Sequence, residues 1–234
     1  MKKLLCVCLM AALLCAVSAP VLAEGGDHII RVSGNASVTV AADTATLQIG
    51  GTTRKDTVAE AQQENSGFMQ QVIRAVLDTG IAENDVITSQ FNVYTGRDYG
   101  VDENGNETVR EYYEVNNMLA VVVRDLTLLG NVLDAGIDAG ANQTYGISFS
   151  STKENEAYQK ALTRAVEDAQ QKAQVLAAAA GKTLGDLLVM DASQGGYYYG
   201  ISNKYNAMVD STGAAIVGGD VSVSANVVLE YAFK

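Results

Sequence analysis

Cysteine, proline, histidine and tryptophan are scarce in this chain of 234 residues, which contains three, one, one and none of them. The cysteines and the proline all lie within the first 20 residues. A single histidine, His28, leaves little material for a Ser-His-Asp triad or a multi-histidine metal site. If the first residues are removed on export, disulfides, thiol nucleophiles and thiolate metal sites are excluded as well. We therefore nominate no catalytic, cofactor-binding or metal-binding residue.

Residues 1–23 have the pattern of a secretory signal peptide. Two lysines precede an apolar stretch that reaches Val17, and short side chains precede the expected cleavage before Glu24. The alternative is a lipid anchor on Cys15, which fits poorly because Leu14 stands where a small residue is wanted. No later run approaches 18 apolar residues, so we expect no transmembrane segment after cleavage. The expected location is periplasmic, or extracellular at the cell surface.

The composition excludes two further classes of protein. Hydrophobic residues make up 48% of the chain, which is too much for a disordered protein. Cleavage after residue 23 would leave 14 basic and 27 acidic residues, a formal charge of −13. A nucleic-acid partner is not expected, because such a surface repels phosphate.

Alternating apolar and polar residues predict strands with one buried face. The clearest run begins at Ile30, and the longest covers 221–233. We also expect Ile87, Phe91 and Val93 to share one face, and Tyr145, Ile147 and Phe149 to share another. The stretches 118–123 and 187–190 are apolar at every position, which is typical of central strands or of strands covered on both faces.

Three helices are predicted between these strands. The first begins near Thr57, with Glu60 placed as in a capping box, and ends at Gly80. The second runs from about Asp125 to Gly140. The third begins with the capping-box pair Ser151 and Glu154 and ends at Gly181. Alanine recurs in it at every fourth position, which indicates a helix lying close against a sheet: Ala157, Ala161, Ala165, Ala169, Ala173 and Ala177.

The predicted order is strand, strand, helix, strand, strand, helix, strand, helix, strand, strand. It contains two related strand–helix–strand passes, about 57–79 and 125–139. We expect an α+β fold with a mixed, largely antiparallel sheet and three helices packed on one face. The other face of the sheet would be polar, and it would be either exposed to solvent or in contact with another subunit.

Two segments interrupt this pattern. Residues 98–110 contain Asn104-Gly105 and predict a long hairpin. Residues 194–219 form an insertion rich in Gly, Tyr, Ser and Asn, longer than an ordinary loop. Its tyrosines are the candidate contact residues, because tyrosine favours interfaces: Tyr197, Tyr198, Tyr199 and Tyr205.

The chain resembles the SIMPL domain family of bacterial periplasmic immunogenic, outer-membrane-protein-28-like proteins. The similarity rests on the order and spacing of several motifs across residues 24–234. Among them are Ile30-Arg-Val-Ser-Gly, Val38-Thr-Val-Ala-Ala-Asp-Thr-Ala, Gly140-Ala-Asn, and the helix positions Ala165, Ala169, Lys172-Ala173, Leu176-Ala177 and Gly181. Ala42 and Gly218-Gly219 depart from it, since the family usually has proline at these turns.

The resemblance implies an exported α+β domain without established catalytic residues. Some relatives are similar to ring-forming homo-oligomers, and others are linked to the cell envelope and to oxidative-stress tolerance. We therefore expect a non-enzymatic, self-assembling protein of the cell envelope. A monomeric module that binds a peptide or glycan through 98–110 and 194–219 is the alternative. An enzyme using carboxylate, lysine or tyrosine chemistry ranks last.

Overall fold

The computed structural model describes residues 28–192, 216 and 218–234. The expected signal peptide and most of the 194–219 insertion lie outside the described residues. The elements follow the predicted order. They are β1 (Ile29–Ala41), β2 (Thr44–Lys55), α1 (Val58–Asp78), β3 (Val86–Val101), β4 (Glu107–Val123), α2 (Leu129–Asp138), β5 (Gln143–Ser150), α3 (Glu154–Ala179), β6 (Leu184–Asp191) and β7 (Asp220–Phe233). Within this part of the chain, no helix combines the length and the hydropathy needed to cross a bilayer.

The helix boundaries form as the capping signals predict. Thr57 Oγ1 accepts a hydrogen bond from the Glu60 backbone N–H at 3.3 Å and donates one to Glu60 Oε2 at 2.9 Å. At the start of α3, the Ser151 N–H donates to Glu154 Oε1 at 2.9 Å. Gly80 follows α1 with φ +100°. That left-handed conformation strains any residue with a Cβ, so glycine ends the helix at least cost.

Four strands form an antiparallel sheet in the order β3-β4-β2-β5. The strand β4 is central, as its doubly apolar stretch predicts. One face of the sheet packs against α1 and α2 and holds the main hydrophobic core. The largest fully buried side chains of this core include Leu47, Ile49, Leu119, Val72, Val76 and Val132.

A buried asparagine ties α1 to the two central strands of this sheet. Asn65 is 0% exposed, and its Nδ2 donates to the backbone oxygens of Gly51 in β2 and Val115 in β4, each at 3.1 Å. The Asn65 Oδ1 atom has no hydrogen-bond partner among the described residues. The amide therefore serves as a double donor that fixes how α1 lies on the sheet.

The segment between α2 and β5 is fixed by a second amide. Asn142 Oδ1 accepts from the Thr52 N–H at 2.9 Å, and Asn142 Nδ2 donates to the Thr52 oxygen at 3.0 Å. This side chain therefore pairs with β2 as another strand would. A Cβ at Gly51 would lie 2.5 Å from Asn142 Oδ1 and 2.7 Å from Phe68 Cζ, so the packing requires glycine there.

The turn between β1 and β2 is held by a carboxylate. Asp43 accepts hydrogen bonds from the Thr152 N–H at 2.9 Å and the Thr152 hydroxyl at 2.6 Å. The hydroxyls of Ser151 and Thr44 donate to it as well. These bonds, that from the Thr152 side chain above all, lower the pKa of Asp43 to about 2. The family-like Ala-Asp motif thus joins the turn to the start of α3.

The other three strands form a sheet in the order β1-β7-β6, with β6 and β7 antiparallel. Buried and half-buried residues alternate along β7 from Val221 to Tyr231, as the period of two predicts. The alanine ridge of α3 is buried at all six positions. Ala157 packs against Val221 and Val223 of β7. The helix therefore lies close to this sheet, as the small side chains indicate.

By internal contacts the chain divides into two compact units. One contains the described residues of 1–34, 166–192 and 227–234, and the Lys172 Nζ donates there to the Ser33 oxygen. The other contains 35–165 and the described residues of 193–226, including the whole four-stranded sheet. A single domain over 24–234 stays a prediction.

The α+β class is confirmed, and the strands are distributed over two sheets. The repeat of two strand–helix–strand units stays a prediction. The sequence predicts a central or doubly covered strand at 187–190, and the described residues do not cover this stretch in that way. In the described structure β6 is an edge strand, and Leu187 to Met190 are between 41% and 54% exposed. An apolar run marks a strand without indicating which neighbours cover it.

Two predicted faces are also interrupted. A register shift lies between Thr88 and Gln90, and it places Ile87 on the opposite face of the sheet from Phe91 and Val93. In β5, Gly146 has φ +98°, and Tyr145 is 66% exposed while Ile147 and Phe149 pack on the core. A one-residue irregularity reverses the side of every residue beyond it, which the alternation alone does not reveal.

Candidate contact site on the β3–β4 arm

The hairpin of β3 and β4 extends beyond the rest of its sheet. Pairing between β2 and β4 ends at Lys55 and Tyr113, whereas β3 and β4 remain paired as far as Val101 and Glu107. Residues 95–112 therefore form a two-stranded arm. This arm contains the segment 98–110, and it confirms the hairpin predicted there.

The tip of the arm is closed by an aspartate. Asp102 Oδ1 accepts from the backbone N–H groups of Asn104 and Asn106, and Asp102 Oδ2 accepts from Asn106 Nδ2 at 3.0 Å. The Asn106 side chain is the main cause of a lowered Asp102 pKa. Gly105 has φ +85°, the left-handed conformation that Asn-Gly turns require. The carboxylate is thus used by its own turn.

An aromatic ring fixes the base of the arm. Tyr112 lies directly opposite Gly96, and a Cβ on that glycine would be 2.1 Å from Tyr112 Cζ. The Arg54 guanidinium of β2 stacks on the same ring, with its Cζ 3.3 Å from the ring centroid. A cation over an aromatic face is attracted by the ring quadrupole. Because Gly96 has no side chain, the Tyr112 ring can lie over it and contact β2, β3 and β4 together.

Ion pairs hold the arm to the end of β2 and to the bend that follows it. Arg54 pairs with Asp98, and Arg110 makes a forked pair with Asp56, with Nη2 at 2.6 and 2.5 Å from the two oxygens. The hydrogen bond from Arg110 holds the pKa of Asp56 below its usual value. The Arg110 and Asp56 side chains are 71% and 58% exposed, so water screens the attraction. These pairs orient the arm more than they stabilise the fold.

An open cleft of about 970 Å³ lies between the arm and α1. Its lining is polar or charged throughout: Arg54, Lys55, Asp56, Glu60, Gln63, Glu64, Asp98, Arg110 and Tyr112. Each cation in it already has a carboxylate partner, since Lys55 Nζ lies 2.5 Å from Glu64 Oε2 and the two arginines are paired as above. The Glu64 contact raises the pKa of Lys55. The arrangement favours a polar ligand over an apolar one.

The side chains of the cleft can form ion pairs, hydrogen bonds and cation–π contacts with a ligand. Within the described residues, no three His, Cys, Asp or Glu side chains are grouped so that they could hold a metal ion. The large apolar side chains exposed on the arm and on β3 lie outside the cleft. They are Ile87, Phe91, Val93, Tyr94, Tyr99, Val101 and Val109.

The four tyrosines nominated from the sequence, Tyr197, Tyr198, Tyr199 and Tyr205, lie outside the described residues. Sequence reasoning missed the set of Arg54, Asp56 and Tyr112, which the structure brings together from two strands and a turn. The only local signal was the charged end of β2 next to a helix cap. Tyr112 lies beside Arg54 because of the strand register, and neither strand's own sequence specifies that register.

Comparison with known proteins finds one family model and several bacterial relatives that are similar to this chain. A family model described as SIMPL, a protein of unknown function (DUF541), matches residues 30–231. The 26 kDa periplasmic immunogenic protein of Brucella melitensis biotype 1 is 32% identical over 157 residues, which is 67% of this chain and 63% of that protein. Its counterpart in Brucella abortus is 31% identical over the same lengths. The uncharacterized protein YggE of Escherichia coli is 29% identical over 160 residues, 68% of this chain and 63% of YggE. The matched region thus spans less than two thirds of these relatives.

Proposed function

The chain belongs to the SIMPL family of proteins of unknown function, and we propose that it is an exported, non-enzymatic protein of the cell envelope that assembles with copies of itself. Export is supported by the leader-like first 23 residues and by the periplasmic names of the Brucella relatives. Non-enzymatic action is supported by the contents of the cleft, where opposite charges are paired with one another.

The observation that carries self-assembly is the exposure of apolar side chains along edge strands. In the described part of the chain, β3 and β6 each end a sheet, and both expose several large apolar residues. An exposed, long, apolar edge strand is a template for pairing with another chain. A protein that is stable in the envelope would cover such edges in an assembly.

The test is the particle mass of the exported protein. Protein purified from the exported fraction, without detergent, should give by light scattering a mass of several chains of at most 24.6 kDa each. A strict monomer at the highest soluble concentration would contradict self-assembly. A turnover assay that loses its signal on changing one acidic side chain would contradict the non-enzymatic part. A role in oxidative stress stays an expectation from the resemblance.

A second candidate function is supported by the cleft beside the arm. Its volume of about 970 Å³ suits a short peptide or glycan, and its four carboxylates outnumber its three cations. Trilysine and chitotriose are suitable probes. Trilysine should shift the NMR signals of Arg54 and Tyr112 and chitotriose should not, if the cleft binds basic peptides. No shift with either probe would contradict a binding role for this cleft.

A further inference from the structure

The outer edge of β3 is unusually long and has no partner strand in the described structure. The strand has 16 residues, whereas five or six is typical. Its apolar side chains are exposed on both faces of the sheet. Ile87 and Tyr94 are 56% and 52% exposed on one face, and Phe91 and Val93 are 48% and 44% exposed on the other.

Over residues 90–96 this edge lacks the devices that keep edge strands apart. Soluble proteins block such edges with lysine, proline, short strands or bulges. Residues 86–101 contain no lysine and no proline, and the one irregularity lies near the start, between Thr88 and Gln90. The remaining stretch, 90–101, continues without interruption along β4. Its backbone groups are therefore available for a further ladder of hydrogen bonds.

The charge distribution favours a second copy of this chain as the partner. Two copies that each carry −13 after cleavage repel one another, so they can meet only where charge is absent or balanced. Residues 86–96 carry no charge. The edge strand β6, in contrast, has Asp186 and Asp191 within eight residues, and pairing two copies there would collect four carboxylates.

The exposed aromatic area of β3 is a substantial part of the area that a dimer interface needs. An aromatic side chain offers on the order of 200 Å², so the exposed fractions of Phe91, Tyr94 and Tyr99 (48%, 52% and 77%) leave roughly 350 Å² open. Three exposed aliphatic side chains of β3, which are Ile87, Val93 and Val101, and the strand backbone add to it. A stable interface buries about 800 Å² on each partner. The aromatic side chains of β3 alone thus expose a little under half of that area.

We propose that β3 is the assembly strand: its outer edge pairs antiparallel with β3 of a second copy about a two-fold axis. The two four-stranded sheets would then form one sheet of eight strands across the two subunits. This inference rests on the proposed self-assembly and specifies its surface. A two-fold contact of this kind is closed, so further growth of the assembly would need a different surface.

The proposal is tested by lysine substitutions on the two exposed edges. Phe91→Lys and Tyr94→Lys place like charges across the proposed axis, and Leu188→Lys on β6 is the matched control because Leu188 is 54% exposed. The β3 variants should raise the dimer dissociation constant in sedimentation experiments by at least about tenfold. The β6 variant should leave it unchanged. Circular dichroism would show that all three variants keep the fold.

Engineered cysteines provide a second measurement that does not depend on destabilising the interface. Because the expected mature chain contains no cysteine, single cysteines introduced at 90–95 should form intermolecular disulfides near the axis, where paired Cα atoms lie about 5 Å apart. A wild-type monomer would overturn both the proposed function and this inference. Assembly that survives the β3 variants, or cysteines on β6 that cross-link while those on β3 do not, would overturn the inference alone.

Discussion

Replacing Asn65 by alanine should destabilise the four-stranded sheet and α1 together. The change removes two hydrogen bonds, from Asn65 Nδ2 to the backbone oxygens of Gly51 and Val115. Each such bond contributes about 1 kcal/mol net, and somewhat more where a buried acceptor is left unpaired. The missing side-chain atoms leave a small cavity that costs about 1 kcal/mol more. Loss of the unpartnered Oδ1 offsets about 1 kcal/mol of this.

The net expectation is a loss of about 2 kcal/mol of the free energy of unfolding. Urea unfolding followed by circular dichroism measures it, and the m value should not change because the exposed surface on unfolding is the same. In a chain of this size the midpoint of thermal unfolding should fall by roughly 4–8 °C. A loss within about 0.5 kcal/mol of zero would refute the double-donor role of this amide.

Asn65→Asp is the control that separates hydrogen bonding from packing. Aspartate fills the same space, but its carboxylate donates no hydrogen bond and is costly to bury at a site that is 0% exposed. Desolvation should raise the pKa of this carboxyl in the folded state above its unfolded value. Its protonated form is then favoured by folding, so this variant should lose stability as the pH rises from 5 to 7. A variant whose stability deficit did not grow with pH would show that the site is hydrated.

Three further outcomes are expected. Folding lowers the pKa of Asp43 from 3.8 to about 2. The ionised carboxylate therefore contributes its full stability above pH 3.8, and this contribution is lost as the pH falls from 3.8 to about 2. Asp43→Asn should lower the melting midpoint at pH 7 and make less difference near pH 2. Gly51→Ala should destabilise the fold by about 2 kcal/mol or more in urea unfolding. Gly67→Ala in α1 is the control, because a Cβ there meets nothing within 4 Å. This control should be neutral or should stabilise the fold by up to about 1 kcal/mol. A double-mutant cycle on Arg110 and Asp56 should give only a small coupling, which disappears in 1 M salt because both side chains are exposed. A coupling that persisted in 1 M salt would contradict a solvent-screened ion pair.

Different interactions hold the base of the arm and the outer edge of β3 in place. The ring of Tyr112 over Gly96 and the pairs of Arg54 and Arg110 set the base of the arm. The edge of β3 is held in line by its pairing with β4. Weakening the ion pairs should thus alter the cleft without removing the assembly strand. This separation allows the peptide-binding and self-assembly hypotheses to be tested in one set of variants.

The sequence by itself determined the parts of the fold that depend on neighbouring residues. Alternation with a period of two located the strands, and the pairs Thr57–Glu60 and Ser151–Glu154 located two helix starts. The alanine ridge of α3 indicated close packing, and all six alanines are buried. These predictions succeed because caps, periodicity and turn glycines act within a few residues of chain.

Only the tertiary structure decided which strands became edges and which side chains met. The stretch 187–190 of β6 is as apolar in sequence as the central stretch of β4, yet β6 ends its sheet among the described residues. The contact of Arg54 with Tyr112 joins residues 58 positions apart through a register that no local pattern specifies. Strand pairing is chosen by the summed burial of the whole sheet, and a single bulge changes which face a residue occupies. The candidate contact surfaces follow from that choice.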